Sequence, residues 1–264
     1  MRVLITGASS GIGAALCRRY AKPGNTVHLL AQNRAGLEAA AKACAESGAE
    51  ARVHCADVSD AAQMTRIGGE IIAGSGLPDI VVANAGIRME DPAGYENSTA
   101  AYDVMMVNYI GTVNTFSPFI GPMMRRGGGH LAAVSSIAAL RATPNSGIYS
   151  ASKAAINLWT EALRLKLAPH NICVTTACSG FVRTAMTSSL PFYMPGILSA
   201  DQAARIIEKA IESRKSRIVF PWQSRLIWGA FRAMPGPLYD QVVLAAKKFW
   251  PNRTRERGAS AHEV

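Results

Sequence analysis

Tyr149 and Lys153 stand four residues apart in the run Tyr149-Ser-Ala-Ser-Lys153. On a helix that spacing places both side chains on one face, one turn apart. An ammonium beside a phenol stabilises the phenolate and draws a pKa of about 10 toward the range of an acid/base catalyst. The same pair also occurs on solvated helices, so it gains meaning only from its surroundings. Those surroundings are Thr6-Gly-Ala-Ser-Ser-Gly-Ile-Gly13, Asp57, Asn84-Ala-Gly86 and Ser135-Ser136, each falling where an apolar segment ends.

Apolar segments at 2–5, 27–31, 51–55, 79–83, 130–134, 172–177 and 217–220 predict strands. Helical patterns at 14–22, 34–45, 61–73, 99–126, 148–168 and 199–213 lie between and around them. The helix over 99–126 is expected to bend at Ser117-Pro118, and Ser199-Ala-Asp-Gln202 reads as a capping box. A long loop is expected over 178–198. Strand and helix alternate through short connections. That predicts an α/β fold, a single doubly wound parallel sheet of Rossmann type with about seven strands and helices on both faces. Ligands of such sheets bind at the carboxyl ends of the strands. Gly7, Asp57, Asn84 and Ser136 share that position, so one common site is expected.

Gly7, Gly11 and Gly13 join a strand to a helix N-terminus, where exposed amides and the helix dipole favour an anion. The spacing is Gly-x3-Gly-x-Gly, distinct from the commoner G-x-G-x-x-G, and it reads as a nucleotide cradle. Asn108 sits among apolar neighbours of the long helix, either as a packing residue or facing the strand ends.

The chain has 264 residues and is 49% hydrophobic, enough for a sizeable core. Cys17, Cys44, Cys55, Cys173 and Cys178 form no Cys-x-x-Cys and have no histidine pair nearby, so reduced thiols and no metal site are expected. Met1-Arg-Val-Leu-Ile5 runs straight into a predicted strand, and no uncharged apolar run is long enough to span a bilayer. Both point to a cytoplasmic protein.

In this order and spacing the motifs resemble those of the short-chain dehydrogenase/reductase family, over residues 1–220. The resemblance implies an NAD(P)-dependent oxidoreductase that interconverts a ketone or aldehyde with an alcohol by hydride transfer. It matches Gly7, Ser9, Ser10, Gly11, Ile12 and Gly13 to the cofactor turn, and Asp57 with Val58 to the adenine side. Asn84, Ala85 and Gly86 match the Asn-Ala-Gly that supports the sheet. The active-site tetrad falls on Asn108, Ser136, Tyr149 and Lys153. Either Ser135 or Ser136 could carry the serine role, and the family's interval of thirteen residues to the tyrosine selects Ser136.

By the same resemblance, Ser136 would hydrogen-bond the substrate oxygen and Tyr149 would move the proton. Lys153 would lower the Tyr149 pKa and hold the nicotinamide ribose, and Asn108 would anchor a proton-relaying water. Gly180, Val182 and Thr184 fall on the nicotinamide side. Two positions depart from the family pattern. Ser179 replaces a usual proline, which is expected to loosen the loop over the nicotinamide. Ala139 stands where glycine is frequent, which is expected to tilt the loop beside Ser136.

The end of the second strand, Ala31-Gln32-Asn33-Arg34, carries no acid to bind ribose hydroxyls and repel a 2′-phosphate. Arg34 could pair with that phosphate, with Asn33 beside it, so NADP is the preferred cofactor and NAD the alternative. Leu190, Pro191, Phe192, Tyr193, Met194 and Ile197 give the substrate loop an apolar lining, which suggests a small apolar carbonyl or alcohol substrate.

Of the formal net charge of +10, a surplus of +7 falls between Arg214 and Val264. There residues 221–250 read as a helical extension, and 251–264 as a disordered tail. The extension carries Trp222, Ile227, Trp228, Phe231 and Met234, then Leu238, Val242, Val243, Phe249 and Trp250. Such residues suit packing on the domain or a second subunit, or peripheral contact with an anionic membrane, and packing is the preferred expectation. A homo-oligomer, dimer or tetramer, is implied; no nucleic-acid motif accompanies the charge. Two other functions fit the same features, a catalytically idle dinucleotide-binding regulator and a peripheral membrane protein on this fold. The complete tetrad favours the enzyme.

Overall fold

Val3, Leu4 and Ile5 are buried to 1% exposure or less, as a central parallel strand covered on both faces requires. The structure is a computed structural model that describes residues 1–89, 97–144, 146–188 and 196–248. Its strands are β1 (Arg2–Thr6), β2 (Thr26–Ala31), β3 (Glu50–Cys55), β4 (Ile80–Ala83), β5 (Gly129–Ser136) and β6 (Ile172–Ser179). A two-residue pair, β7 (Val182–Arg183) and β8 (Leu198–Ser199), precedes β9 (Arg217–Phe220). Seven of them form one parallel sheet in the order β3-β2-β1-β4-β5-β6-β9. The direction of winding reverses between β1 and β4, which opens a crevice at their carboxyl ends. The doubly wound Rossmann-type fold expected from the sequence is the fold observed.

Helices α1 (Gly11–Tyr20) and α2 (Arg34–Glu46) cover one face of the sheet, and α3 (Ala61–Ser75) lies on the other. That second face also holds α4 (Ser98–Met105), α5 (Gly111–Arg126) and α6 (Gly147–Leu167). A single turn, α7 (Ala185–Ser188), leads to α8 (Ala200–Glu212), which joins α1 on the first face. Ser199 and Gln202 close the capping box of α8 in both directions. Two further helices, α9 (Trp222–Ala233) and α10 (Gly236–Lys248), follow β9.

One expectation gains a feature and one is corrected. Ser117-Pro118 lies within α5, and the long helix also carries an unexpected π turn at Met106–Ile110, between α4 and α5, which holds Asn108. The stretch after residue 177 is not wholly a loop. β6 runs on to Ser179, and β7, α7 and β8 follow within the described part of the rest. Both Ser136 and Ser179 therefore sit on strand ends, paired with each other in the β5–β6 register.

Two histidines are held neutral chiefly by their burial. His28, fully buried on β2, meets His54 Nε2 at 2.9 Å and Ser75 Oγ at 2.9 Å. Ser75 gives its own proton to the Ile71 carbonyl, so the His28 Nε2–H donates to Ser75 and Nδ1 accepts from His54. His130 Nε2 similarly donates to Thr175 Oγ1, whose proton goes to the Lys215 carbonyl. Burial lowers both pKa values from 6.5 to about 4, assisted by His54 at His28 and by Arg214 at His130. Below pH 6.5 the unfolded chain gains protons that the folded chain refuses. Stability should therefore be complete above pH 6.5 and fall toward pH 4, by about 3 kcal/mol for each histidine. Urea unfolding at stepped pH should show this slope, and His130→Asn should flatten it; an equal slope in the variant would contradict the assignment.

Candidate active site

At the crevice between β1 and β4, the Thr6 hydroxyl accepts the backbone amides of Asn84 at 3.1 Å and Ala85 at 3.2 Å. The Asn84 side chain donates in return to the carbonyls of Thr6, 3.0 Å away, and Gly7, 3.3 Å away. The glycine turn is thereby fastened to the end of β4. Gly7 takes φ +64°, and a Cβ on Gly13 would fall 2.1 Å from the Gly7 carbonyl oxygen, so glycine is required at both positions. Ser10 precedes α1 without a side-chain bond to it, and no acid lies in the first turn. The helix N-terminus therefore offers its amides to an anion.

Asn108, fully buried, faces the loop after β4. Its Oδ1 accepts the Ile87 amide at 2.7 Å, and its Nδ2 donates to the Ile87 carbonyl and to Ser152 Oγ, both at 3.0 Å. Ser152 donates to the Tyr149 carbonyl at 2.8 Å. Lys153 Nζ donates to the Val134 carbonyl at 3.0 Å. It comes close to Asn108, since a Cβ on Gly86 would sit 3.1 Å from Asn108 Oδ1 and 3.3 Å from Lys153 Nζ. Ser136 hydrogen-bonds the Tyr149 phenol and accepts the Ala138 amide at 3.1 Å. All four predicted tetrad residues thus meet at the carboxyl ends of β4 and β5.

The electrostatics differ from the expected balance. Burial raises the Tyr149 phenol above 10, while the Ser136 hydrogen bond and the charge of Arg88 pull against it. Lys153 lies 5.9 Å from the phenol ring centroid, and its own burial lowers it from 10.5 to about 8. In the protein alone the principal cation acting on the phenol is Arg88, a residue absent from the sequence reading. Ser152, Thr6 and Val134 were missed as well. Ser152 lies inside the Tyr-Ser-Ala-Ser-Lys run and Thr6 opens the glycine run, so proximity to those motifs was the available signal.

On the adenine side Asp57 Oδ1 accepts the Ser59 amide at 2.8 Å, and Gln63 Oε1 accepts the Asp57 amide at 2.7 Å. Val58 is buried, and its carbonyl accepts Asn114 Nδ2 at 2.9 Å. Asn33 caps α2 by accepting the Gly36 amide at 3.0 Å, so its side-chain oxygen is engaged in the helix. Arg34 is exposed and only 3.6 Å from Glu38. The first turn of α2 lies against the glycine turn, where a Cβ on Gly36 would come 2.8 Å from the Ser9 carbonyl oxygen. On the opposite side Thr184 Cγ2 would be 3.0 Å from a Cβ on Gly11, which closes the strand after Gly180 and Val182 over the same turn.

Around the departure at Ser179, two hydrogen bonds tie the chain to its neighbours. The Ser179 hydroxyl donates to the Ser135 carbonyl at 3.2 Å, and the Gly180 amide donates to the Phe220 carbonyl at 2.6 Å. Ala139 ends a 3-10 turn, Ile137–Ala139, without left-handed backbone. Leu190, Pro191, Phe192, Tyr193 and Met194 lie outside the described residues, as do Phe249, Trp250 and the tail 251–264. Ile197 is half-buried.

The sequence profile of the short chain dehydrogenase family matches residues 1–192. The chain belongs to that family. An uncharacterized oxidoreductase of Mycobacterium tuberculosis is 36% identical over 227 residues, which cover 83% of this chain and 66% of that relative's length. A fatty acyl-CoA reductase of Acinetobacter baylyi is 32% identical over 81% of this chain and 74% of its own. The solved alcohol dehydrogenase of the archaeon Thermococcus sibiricus, complexed with 5-hydroxy-NADP, superimposes with a TM-score of 0.74 at 25% identity. That match covers 83% of this chain and 95% of the other.

Asn108→Ala removes three buried hydrogen bonds and strands the Ile87 amide and carbonyl. It should cost about 2–4 kcal/mol in urea unfolding. A loss under about 0.5 kcal/mol would mean that the loop after β4 is held by other contacts.

Proposed function

We propose that this short-chain dehydrogenase is a nicotinamide-dependent oxidoreductase interconverting a carbonyl compound and an alcohol, with NADP preferred over NAD. The observation that carries this reading is the convergence of Ser136, Tyr149, Lys153 and Asn108 beside an anion cradle built from Gly7, Gly11 and Gly13. The cradle suits a dinucleotide pyrophosphate, because the closed turn and the acid-free start of α1 present amides and positive dipole together. Asp57 and Val58 would border the adenine, and Gly180, Val182 and Thr184 the nicotinamide.

A bound nicotinamide supplies or takes up the hydride. Ser136 orients the substrate oxygen by hydrogen bonding while Tyr149 delivers or removes the proton at that oxygen. A phenol raised by burial is a poor base at rest, so additional positive charge near its oxygen is needed to bring it into range. Arg88 acts in that sense already, and Lys153 does so in its protonated form, which dominates below a pH of about 8. Lys153 would also hold the nicotinamide ribose. Asn108 fixes the backbone at Ile87 and, through Ser152, the turn that carries Tyr149.

The NADP preference is supported by Arg34, whose solvated pairing with Glu38 is cheap to exchange for a 2′-phosphate. The absence of an acid at the end of β2 supports it too. An apolar carbonyl substrate is supported by the composition of residues 190–197 and by the name of the Acinetobacter relative, a fatty acyl-CoA reductase. Tyr102 on α4 and Leu158 and Leu165 on α6 are exposed apolar residues that would suit a homo-oligomer contact.

Tyr149→Phe should lower turnover on a panel of apolar ketones and aldehydes by at least about 100-fold, with nucleotide affinity nearly unchanged. Substantial residual turnover would refute the acid/base role. Lys153→Ala should impair both turnover and nucleotide binding. Arg34→Ala should weaken NADPH binding by about 1.5–3 kcal/mol and leave NADH nearly untouched in titration calorimetry. Equal losses for both nucleotides would reduce Arg34 to a solvated helix residue.

A further inference from the structure

Among the described residues, helices α9 and α10 meet the domain through Tyr239, Phe231 and Ser224. Phe231 on α9 meets Tyr239 on α10 edge to face, with ring centroids 5.7 Å apart. Tyr239 is buried, donates its hydroxyl to the Ala142 carbonyl and lies beneath the Arg141 guanidinium, 4.1 Å from the ring centroid. Ser224, also buried, packs where a Cβ on Gly180 would come 2.6 Å from its Oγ. The pair is thus clamped to the segment that follows Ser136 and to the segment that precedes Thr184. Those segments flank the catalytic cleft.

Among the described residues, nothing covers the opposite side. Trp222, Leu226 and Ile227 on α9 are 68%, 63% and 45% exposed, and Leu238, Val242 and Leu244 on α10 are 50%, 36% and 59% exposed. Trp222 and Leu226 are one turn apart, as are Leu238 and Val242, so each helix presents an apolar stripe. Arg225 and Arg232 are exposed on α9, and the sequence continues with Lys247, Lys248, Arg253, Arg255 and Arg257. Asp240 is the only acid in the sequence between Glu212 and Glu256.

We propose that this face docks on an anionic lipid bilayer and holds the mouth of the catalytic cleft against it. Apolar side chains enter the headgroup boundary while the exposed Arg225 and Arg232 meet lipid phosphates, the arrangement of an interfacial helix. Trp222, at the start of α9, is the residue type that settles at headgroup depth. The helices lie on the surface rather than cross it. At 12 and 13 residues they are too short to span, and among the described residues no helix is long and apolar enough to do so. A second copy fits worse, because a two-fold contact would set Arg225 and Arg232 against the same basic face of its partner.

The test is sedimentation of the full chain with vesicles of phosphatidylcholine alone or with about one third phosphatidylglycerol. Binding should require the anionic lipid and fade in high salt. The double variant Leu226→Glu, Val242→Glu alters only exposed positions and should keep its melting temperature and solution mass while binding about tenfold more weakly or worse. Arg225→Glu with Arg232→Glu should weaken binding as well. No binding to the anionic vesicles, or equal binding to neutral ones, overturns the proposal. So does a glutamate variant that changes the solution mass while vesicle binding persists, which would assign the face to a second copy.

Discussion

The Tyr149 side of the candidate site depends on the side chain of Asn108 spending its hydrogen bonds on backbone and hydroxyl partners. A fully buried amide has no water to turn to, and each bond left unmade would cost about 1–3 kcal/mol. Its two contacts with Ile87 mimic a strand partner and hold the loop after β4 where no strand could follow. Its third contact reaches Ser152, and through it the backbone of Tyr149. Three elements distant in sequence are registered by one side chain. The functional reading of Asn108 and the packing reading therefore describe the same set of contacts.

The sheet was legible because a parallel strand buried on both faces must be an apolar run, and because glycine, aspartate and asparagine interrupt such runs where the chain turns out of the sheet. The gathering of Gly7, Asp57, Asn84 and Ser136 followed from their shared place at strand ends. What was not legible depends on distance. The π turn leaves no compositional mark, whereas Pro118 does, so only the proline drew attention to the helix. Thr6 and Ser152 act through single hydroxyl contacts that no spacing rule singles out. The direction of the Tyr149 shift turns on whether burial outweighs charge, and that requires knowing how far the ammonium of Lys153 lies from the ring.

The extension shows the same limit. Its helices were evident as amphipathic segments, but a pattern of apolar residues does not say which of two apolar stripes meets the domain. The structure divides them. Tyr239, Phe231 and Ser224 turn inward, while Trp222, Leu226, Leu238 and Val242 turn out. At the cleft, too, one contact was not anticipated. Where family members usually place proline, a serine hydroxyl bonds β6 to the backbone of β5. The restraint is kept by a bond that can open, rather than by a ring that cannot.

The π turn at Met106–Ile110 also carries a consequence in helical phase. A π turn holds one residue more than the α-helix around it, and one residue corresponds to about 100° of rotation. A single continuous helix can therefore present one azimuth to α6 through α4 and another to α3 through α5. Without the surplus residue, the face that suits one neighbour would point away from the other. Removing one residue from this turn would be a change of angle along the whole of α4 relative to α5, felt at every contact between the two ends of the helix.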